Sequence, residues 1–454
     1  MRNSTKVAVA VAAALSAGSA LAATNPNYTL SLNIAGSSAM RDAVIAEFTN
    51  VLCTSGTVAG PFVSTQGTPT ASGGESPDFR ALTCTLNAAS GLSGTVVAVY
   101  YRSEGGSVFG IFGNPSLNSG TPLPINRLNI GPAGGAQPAD FNVFETVAQL
   151  EADSQTGSVI KDTVDLGVSD VEPQALIGEN YGSEYSFIPF AAPSKTTLQA
   201  VPNFGPVVGE VYAPIVSNTG GTAGFANTTT GLGTKGLTSQ EIATIFSGGA
   251  TDWNQIPSAV AAGGVPTSAP ITICRRDAGS GTQTVTSTHF LGTNCSSGGK
   301  GFAVPGGTVG LNVITNFATG DVLNCVKNNA GAIGLVTLQT SAKYTGAAAT
   351  QVTVDGTLGT AISSAQGQYT YYGEAYFIKN TLVTGAKLTL VNKLVAALEL
   401  ASGTPASASV PNLVALPKFN APFSPVTPLH AGQQIPIAVG TTGGNVCSPL
   451  IDQL

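Results

Sequence analysis

The feature that most constrains the fold is a strand that ends in a small polar turn and then opens a helix. Its clearest copy is 271–282, Ile-Thr-Ile-Cys-Arg-Arg-Asp-Ala-Gly-Ser-Gly-Thr, followed by a predicted helix over 282–290. Helix N-termini expose unpaired N–H groups and bind anions, and Arg276 adds a planar guanidinium suited to oxyanions. The turn therefore predicts an anion site, although it also suits an ordinary glycine turn with a surface Arg–Asp pair.

Three earlier segments repeat the pattern of a strand that ends in polar or small residues. A predicted strand at 28–34 enters Ala-Gly-Ser-Ser, one at 94–101 enters Arg-Ser-Glu-Gly-Gly-Ser, and one at 163–168 ends in Ser-Asp. A predicted helix over 385–401, with leucines and valines on one face, follows a late strand. Strands that alternate with helices indicate an α/β architecture with parallel sheets.

The composition excludes several classes of function. Charged residues make up only 9% of the chain, but 43% of residues are apolar, which argues against disorder. Of 18 basic side chains, two lie in residues 1–22, so 16 remain against 24 acidic ones. This acidic balance disfavours nucleic acid and anionic membranes as partners, and any anion site must be built locally.

The first residues have the pattern of a secretory signal. Arg2 and Lys6 precede an apolar stretch, and Ala-Leu-Ala at 20–22 forms a small-residue cleavage site. No cysteine follows that site, so we expect no lipid anchor, and no later segment is long and apolar enough to insert into a membrane. The expected location is the periplasm or the medium.

Cysteine and histidine usage narrows the chemistry further. Six cysteines in an exported chain suggest disulfides, and we expect Cys53–Cys84, then Cys274–Cys295, which leaves Cys325–Cys447. The chain has two histidines, far apart in sequence, and no Cys-x-x-Cys. We therefore expect no metal, no cofactor and no histidine-dependent catalytic site.

Five stretches, in this order, resemble the periplasmic phosphate-binding proteins of ABC importers, the PstS-like family. They are Ala-Gly-Ser-Ser at 35–38, Val-Asp-Leu-Gly-Val-Ser-Asp at 164–170, Leu-Thr to Trp-Asn within 237–256, Arg-Arg-Asp-Ala-Gly-Ser-Gly-Thr at 275–282, and Gly-Ala-Ile-Gly-Leu-Val at 331–336. The resemblance implies a type 2 periplasmic-binding-protein fold, in which two α/β lobes hold one oxyanion in the cleft between them.

The resemblance also implies domain boundaries. Residues 1–22 would be the signal peptide, 23–210 together with 345–454 would form lobe 1, and 211–344 would form lobe 2. Residues 54–93 and 111–160, rich in Gly, Ser, Thr and Pro, would be insertions in lobe 1.

Carried over position by position, the resemblance implies a ligand set from both lobes. Hydroxyls and N–H groups would donate to phosphate, Arg276 would form a salt bridge, and Asp170 would accept the ligand's proton; the expected set is Ser38, Ala39, Ser103, Asp170, Arg276, Ser280, Gly281 and Thr282. Sulfate at neutral pH has no such proton, so Asp170 would select against it. Three positions depart from the family. Ala39 stands where an aromatic residue or valine is usual, Ala278 stands at the usual acidic position with Asp277 shifted by one residue, and Glu104 places a carboxylate in the second turn.

The function implied is capture of inorganic phosphate, either for uptake through the membrane subunits of an ABC importer or for scavenging outside the cell. A non-enzymatic role is favoured, because Gly-Ser-Gly at 279–281 lacks the Gly-x-Ser-x-Gly elbow of a nucleophile. A secreted phosphatase or phosphoesterase that uses Ser280, and a surface or matrix protein that keeps the fold without a ligand, remain alternatives.

Overall fold

The computed structural model describes most of the chain between residues 27 and 415. The described ranges are 27–63, 79–103, 106–112, 115–118, 124–128, 130, 159–181, 194–219, 231–265, 267–293, 301–316, 318–338, 348–400 and 413–415. The predicted signal peptide and Glu104 lie outside them.

The described elements alternate between strands and helices. The strands are β1 (Leu30–Gly36), β2 (Ala59–Val63), β3 (Phe79–Thr85), β4 (Val96–Arg102), β5 (Pro124–Leu128), β6 (Val159–Thr163), β7 (Leu166–Ser169), β8 (Asn203–Ser217), β9 (Thr272–Arg276), β10 (Asn312–Asn316), β11 (Ala332–Thr337), β12 (Ala349–Gln351), β13 (Tyr372–Lys379) and β14 (Leu413–Ala415). The α-helices are α1 (Arg41–Glu47), α2 (Gly106–Phe112), α3 (Lys195–Gln199), α4 (Leu232–Lys235), α5 (Ser239–Phe246), α6 (Pro257–Ala262), α7 (Gly281–Thr286), α8 (Thr319–Asn328), α9 (Ala361–Ala365) and α10 (Gly385–Leu400).

Twelve strands form one mixed, hydrogen-bonded path. Its order is β10-β9-β11-β8-β13-β7-β1-β4-β3-β2, and β12 and β14 also pair with β8. The predicted parallel pairing holds around β1 and around β9. It fails for β3, β8 and β13, which pair antiparallel with their neighbours. The sheet is therefore mixed rather than parallel throughout.

The long strand β8 belongs to both halves of this path. Its first part pairs with β13, and its second part, from Tyr212 to Val216, pairs with β11. Two separate apolar clusters lie on the two sides of this crossing: one packs around β1, β4 and α10, the other around β9, β11 and α8. This arrangement is that of two α/β halves joined by a shared strand, and it brings turns from both halves together.

Residues 54–93 contribute more structure than their composition suggests. Strand β3 pairs with β4 over seven residues, and β2 extends the same edge. The predicted disulfide Cys53–Cys84 is confirmed and links the start of this segment to β3. Strand β2 contains Gly60 and Pro61, and the sequence between β2 and β3 is rich in Gly, Ser, Thr and Pro, so the composition did not indicate strands.

The predicted second disulfide is wrong. Cys274 pairs with Cys325, with 5.9 Å between their Cα atoms. Cys274 therefore does not pair with Cys295, and the expected third pair, Cys325–Cys447, is wrong as well. The bond joins β9 to α8, which both supply residues to the site described below. Cys274 and Cys325 lie on neighbouring elements of the fold, whereas sequence spacing alone favoured the nearer cysteine. Cys295 and Cys447 lie outside the described residues.

Several local features of the fold follow directly from the sequence. Thr238 caps α5 through a reciprocal capping box with Glu241. The predicted late helix is α10, within one residue at its end. Trp253 is completely buried and donates its indole N–H to the carbonyl of Gly331 at 2.9 Å, as expected for a packing anchor.

Candidate anion-binding site

The turn after β9 begins the site. Strand β9 is hydrogen-bonded on both sides, to β10 and β11, so its last residue, Arg276, is held in a fixed position. Gly279 has φ +91°, a backbone conformation that residues with a side chain rarely adopt. Ser280 then caps α7 by accepting the N–H of Gln283 at 3.4 Å.

The guanidinium of Arg276 reaches residues from both halves of the fold. Its Nη1 donates to Ser38 Oγ at 3.2 Å and to Thr319 Oγ1 at 3.4 Å, and its Nε donates to the carbonyl of Asn316 at 3.3 Å. Ser38 follows β1, whereas Thr319 begins α8. The predicted pair Ser38 and Arg276 is thus brought together, and we call this group of Arg276, Ser38 and Thr319 the arginine end of the site.

The shifted carboxylate of Asp277 still borders the arginine. Asp277 is fully buried, and its Oδ1 lies 3.7 Å from Arg276 Nε. Its N–H donates to the carbonyl of Asn316 at 3.1 Å. The one-residue shift therefore keeps a carboxylate beside Arg276.

Asp170 meets the turn after β9 from the other side. It directly follows β7, which pairs with β1 and β13, and its N–H donates to Ser107 Oγ at 2.9 Å. Gly281 packs so closely that an added Cβ would lie 2.5 Å from Asp170 Cβ and 2.8 Å from Asp170 Oδ2. We call Asp170, Gly281 and Thr282 the carboxylate end of the site.

The charge state of Asp170 depends on opposing effects. Burial raises its pKa from 3.8 to about 7, while Arg276, the N–H and hydroxyl of Thr282, and Glu210 lower it. Within the described part of the chain, Oδ1 of Asp170 has no hydrogen-bond partner. Such a buried oxygen can accept a hydrogen bond from a ligand that carries a proton.

Ser103 and Arg41 form a third contact in the site. Ser103 is fully buried and its Oγ accepts a hydrogen bond from Arg41 Nη1 at 3.1 Å. Burial raises the pKa of Asp321 to about 6, and both Arg276 and Arg41 lower it. The two arginines therefore act on the same carboxylate, and Ser103 is linked through Arg41 to the arginine end.

Ala39 is in the first turn, but its N–H is already used. That N–H donates to Ser37 Oγ at 3.0 Å, as does the N–H of Met40 at 3.1 Å. Ser37, rather than Ser38, is the hydroxyl that closes this turn. The role of Ala39 as a ligand donor stays a prediction.

Sequence reasoning did not single out four polar residues of the site: Arg41, Ser107, Glu210 and Thr319. Arg41 lies three residues after Ser38, at the start of α1, so a turn-plus-helix pattern could have indicated it. Glu210 is the single acidic residue in a largely apolar strand, and this isolated carboxyl group could have indicated a functional residue. Ser107 and Thr319 gave no signal of their own, because hydroxyl residues are common throughout the chain.

Comparison with known proteins agrees with this architecture. Residues 213–395 match the family model of the PBP superfamily domain. The likeness to periplasmic binding proteins is thereby confirmed, and so is the α/β fold of that type. The superfamily is one of binding proteins.

Solved structures of phosphate-binding proteins are also similar to this chain. A phosphate-binding protein from Stenotrophomonas maltophilia has 14% identity and a TM-score of 0.42, with 84% of this chain and 88% of that chain covered. A putative phosphate ABC transporter substrate-binding protein from Clostridium perfringens, with bound phosphate, has 13% identity and a TM-score of 0.40, with 80% and 92% covered. No curated protein matches the chain in sequence. At such scores we base the fold assignment on the family match and the sheet topology.

Proposed function

We propose that this protein binds inorganic phosphate, non-catalytically, between the turns that follow β1, β4, β7 and β9. The observation that carries the proposal is the meeting of these turns. Arg276 contacts Ser38 at 3.2 Å, and Gly281 packs against Asp170. A cation with hydroxyl donors at one end and a carboxylate acceptor at the other suits an oxyanion that retains a proton.

The arginine end supplies charge and donors. Arg276 is buried, and a buried guanidinium interacts strongly with an anion because little water screens it. Ser38 and Thr319 place two further hydroxyls beside it, and their mutual distance is 3.3 Å. An oxyanion at this end would exchange these contacts between protein groups for charge-assisted hydrogen bonds.

The carboxylate end supplies selectivity. An ionised Asp170 can only accept hydrogen bonds, so it favours a ligand that carries a proton and repels one that does not. Phosphate near neutral pH carries a proton, and sulfate does not. The expected ligand is therefore phosphate, with Ser38, Ala39, Ser103, Asp170, Arg276, Ser280, Gly281 and Thr282 as the proposed contact set.

Delivery to the membrane subunits of an ABC importer, or scavenging outside the cell, is the biological role we propose. It is supported by the superfamily match and by the signal-peptide pattern of residues 1–22. No described helix has the length and apolar character needed to span a membrane. Release into the periplasm or the medium fits this role.

Catalysis is less well supported. Ser280 Oγ, the candidate nucleophile, accepts the cap hydrogen bond of α7, and the ring of His289 packs on Tyr371 with 5.2 Å between the centroids. In the described ranges, no group of three His, Cys, Asp or Glu residues is placed to hold a metal ion. A binding role without turnover is therefore the better explanation of this geometry.

Equilibrium dialysis of the purified protein against labelled phosphate tests the proposal. We expect saturable retention of about one phosphate per chain, and Arg276→Ala should abolish it. Glu374 is a buried residue on β13 outside the proposed contact set, so Glu374→Gln should preserve retention. Absence of retention by the folded wild-type protein would rule the proposal out and favour a matrix role. Hydrolysis of a phosphate ester that is lost in Ser280→Ala would favour the enzyme.

A further inference from the structure

Glu210, in the shared strand β8, places a second carboxyl group beside Asp170. Glu210 is fully buried on β8 and pairs in register with Gly373 of β13. Gly373 itself packs against Asp170, since an added Cβ would lie 3.1 Å from the Asp170 carbonyl oxygen. Because Gly373 has no side chain, nothing on β13 at this register separates Glu210 from Asp170.

The surroundings of Glu210 provide no cation. Among the described residues it forms no ion pair, its Oε2 accepts a hydrogen bond from the Tyr212 hydroxyl at 3.4 Å, and its Oε1 accepts none. The titratable groups that act on it are Asp170 and Tyr212, and it acts in turn on Tyr101. A buried carboxylate without a cation is costly, so the group retains its proton.

The two carboxyl groups influence each other in opposite directions. Burial, the charge of Asp170 and a hydrogen bond with Asp170 raise the pKa of Glu210 well above its usual value, against the opposing effect of Tyr212. The same hydrogen bond lowers the pKa of Asp170. Arg276 and the N–H and hydroxyl of Thr282 act on Asp170, whereas no cation among the described residues acts on Glu210. These neighbours favour the negative charge on Asp170 and the proton on Glu210.

We propose that Glu210 is a positioning residue that stays protonated, donates its proton to Asp170, and leaves Asp170 only acceptor positions for the ligand. This inference rests on the proposed phosphate site and deepens it. Selectivity for phosphate over sulfate then depends on two carboxyl groups. Asp170 accepts a hydrogen bond from the proton of the ligand. Glu210 keeps Asp170 ionised, so that Asp170 has no proton with which to donate a hydrogen bond to sulfate.

The sequence contains a matched control. Glu374 and Tyr376 on β13 repeat the Glu-x-Tyr spacing of Glu210 and Tyr212, with Tyr376 donating to Glu374 Oε2 at 3.3 Å. Glu374 is also buried, and it has no contact with Asp170 among those described. Glu374→Gln therefore reproduces the chemical change of Glu210→Gln at an equivalent buried position on the other crossing strand.

Calorimetric titration with phosphate compares wild type, Glu210→Gln, Glu210→Ala and Glu374→Gln. The amide of Glu210→Gln can still donate to Asp170, so we expect affinity within about twofold of wild type. Glu210→Ala removes the donor, and we expect a loss of about tenfold, as for a hydrogen bond to a charged group. Glu374→Gln should match wild type. A loss in Glu210→Gln equal to that in Glu210→Ala, or tighter binding in Glu210→Gln, would overturn the inference.

Infrared spectroscopy of the ligand-free protein tests directly whether Glu210 is protonated, and it does so independently of the proposed function. At about pH 8.5, above the pKa of about 7 of Asp170, we expect the carbonyl band of a protonated carboxylic acid. Glu210→Gln should remove this band and Glu374→Gln should retain it. A wild-type protein that shows this result without binding phosphate would refute only the proposed function. A band unchanged by Glu210→Gln would refute the role of Glu210 even if phosphate binds.

Discussion

The two ends of the site are built in different ways. At the arginine end, Arg276 has polar partners on three sides: Ser38, Thr319 and the carbonyl of Asn316. At the carboxylate end, Oδ1 of Asp170 is buried and accepts no hydrogen bond from an N–H or hydroxyl group of the described residues. The arginine end can therefore hold its geometry without a ligand, whereas a ligand adds the missing donor at the carboxylate end. We infer that the arginine end provides affinity and the carboxylate end provides selectivity.

Removal of the guanidinium should have the largest effect. Arg276→Ala takes away the buried cation and leaves Asp277 without it, so we expect phosphate affinity to fall by about 2–5 kcal/mol. Calorimetry measures this loss. Arg276→Lys, which keeps the charge but not the planar fork, should recover only part of it. Equal affinity for wild type and Arg276→Ala would show that the arginine end does not bind the anion.

Conversion of the carboxylate to an amide should change which anion is preferred. Asp170→Asn replaces an acceptor-only group with one that can also donate, so phosphate should weaken by about 1.5–3 kcal/mol while sulfate binding improves. Competition between the two anions in calorimetry gives the ratio. If both anions weaken equally, Asp170 contributes to affinity rather than to selectivity.

A methyl group at Gly281 tests the close approach of the two halves. In Gly281→Ala the new Cβ would overlap Asp170 and Ser107, so the contact must open, at a cost of about 1–3 kcal/mol in the free energy of unfolding. Urea unfolding measures the cost. Gly306→Ala is the control for stability, since nothing lies near its Cβ, although its φ of +72° adds a small strain. Unchanged stability in Gly281→Ala would indicate that the halves do not meet here.

The raised pKa of Asp170 predicts a smaller effect of pH on stability. The unfolded state loses this proton near pH 3.8 and the ligand-free folded state near pH 7, so the folded state binds more protons in between. The contribution of Asp170 to the free energy of unfolding should therefore fall as pH rises through this window. Unfolding at several pH values should show a flatter dependence for Asp170→Asn. An unchanged slope would contradict the raised pKa.

The sequence predicted one end of the site better than the other. Arg276 and Ser38 were both expected, and they meet, because each follows a strand whose turn has a recognisable pattern. What the pattern could not show is that Thr319, from a helix near the end of the second half, completes the arginine end.

The carboxylate end depended on contacts that a linear pattern does not contain. Asp170 could be identified by its position after a strand, but its pairing with Glu210 depends on the register of β8 against β13 and on the missing side chain at Gly373. The error in the disulfide has the same origin, since Cys274 and Cys325 are 51 residues apart in sequence and adjacent in space. Long-range register, rather than local propensity, decided what sequence reasoning missed.

Calorimetric titration of the wild-type protein with phosphate and, separately, with sulfate at about pH 8 tests the central claim most directly. At this pH Asp170, with a pKa of about 7, is ionised, and phosphate still has a proton to donate. We predict saturable binding of phosphate at one site and binding of sulfate at least about a hundredfold weaker. Equal affinity for the two anions, or binding of neither by the folded protein, would contradict a site that recognises the proton of its ligand.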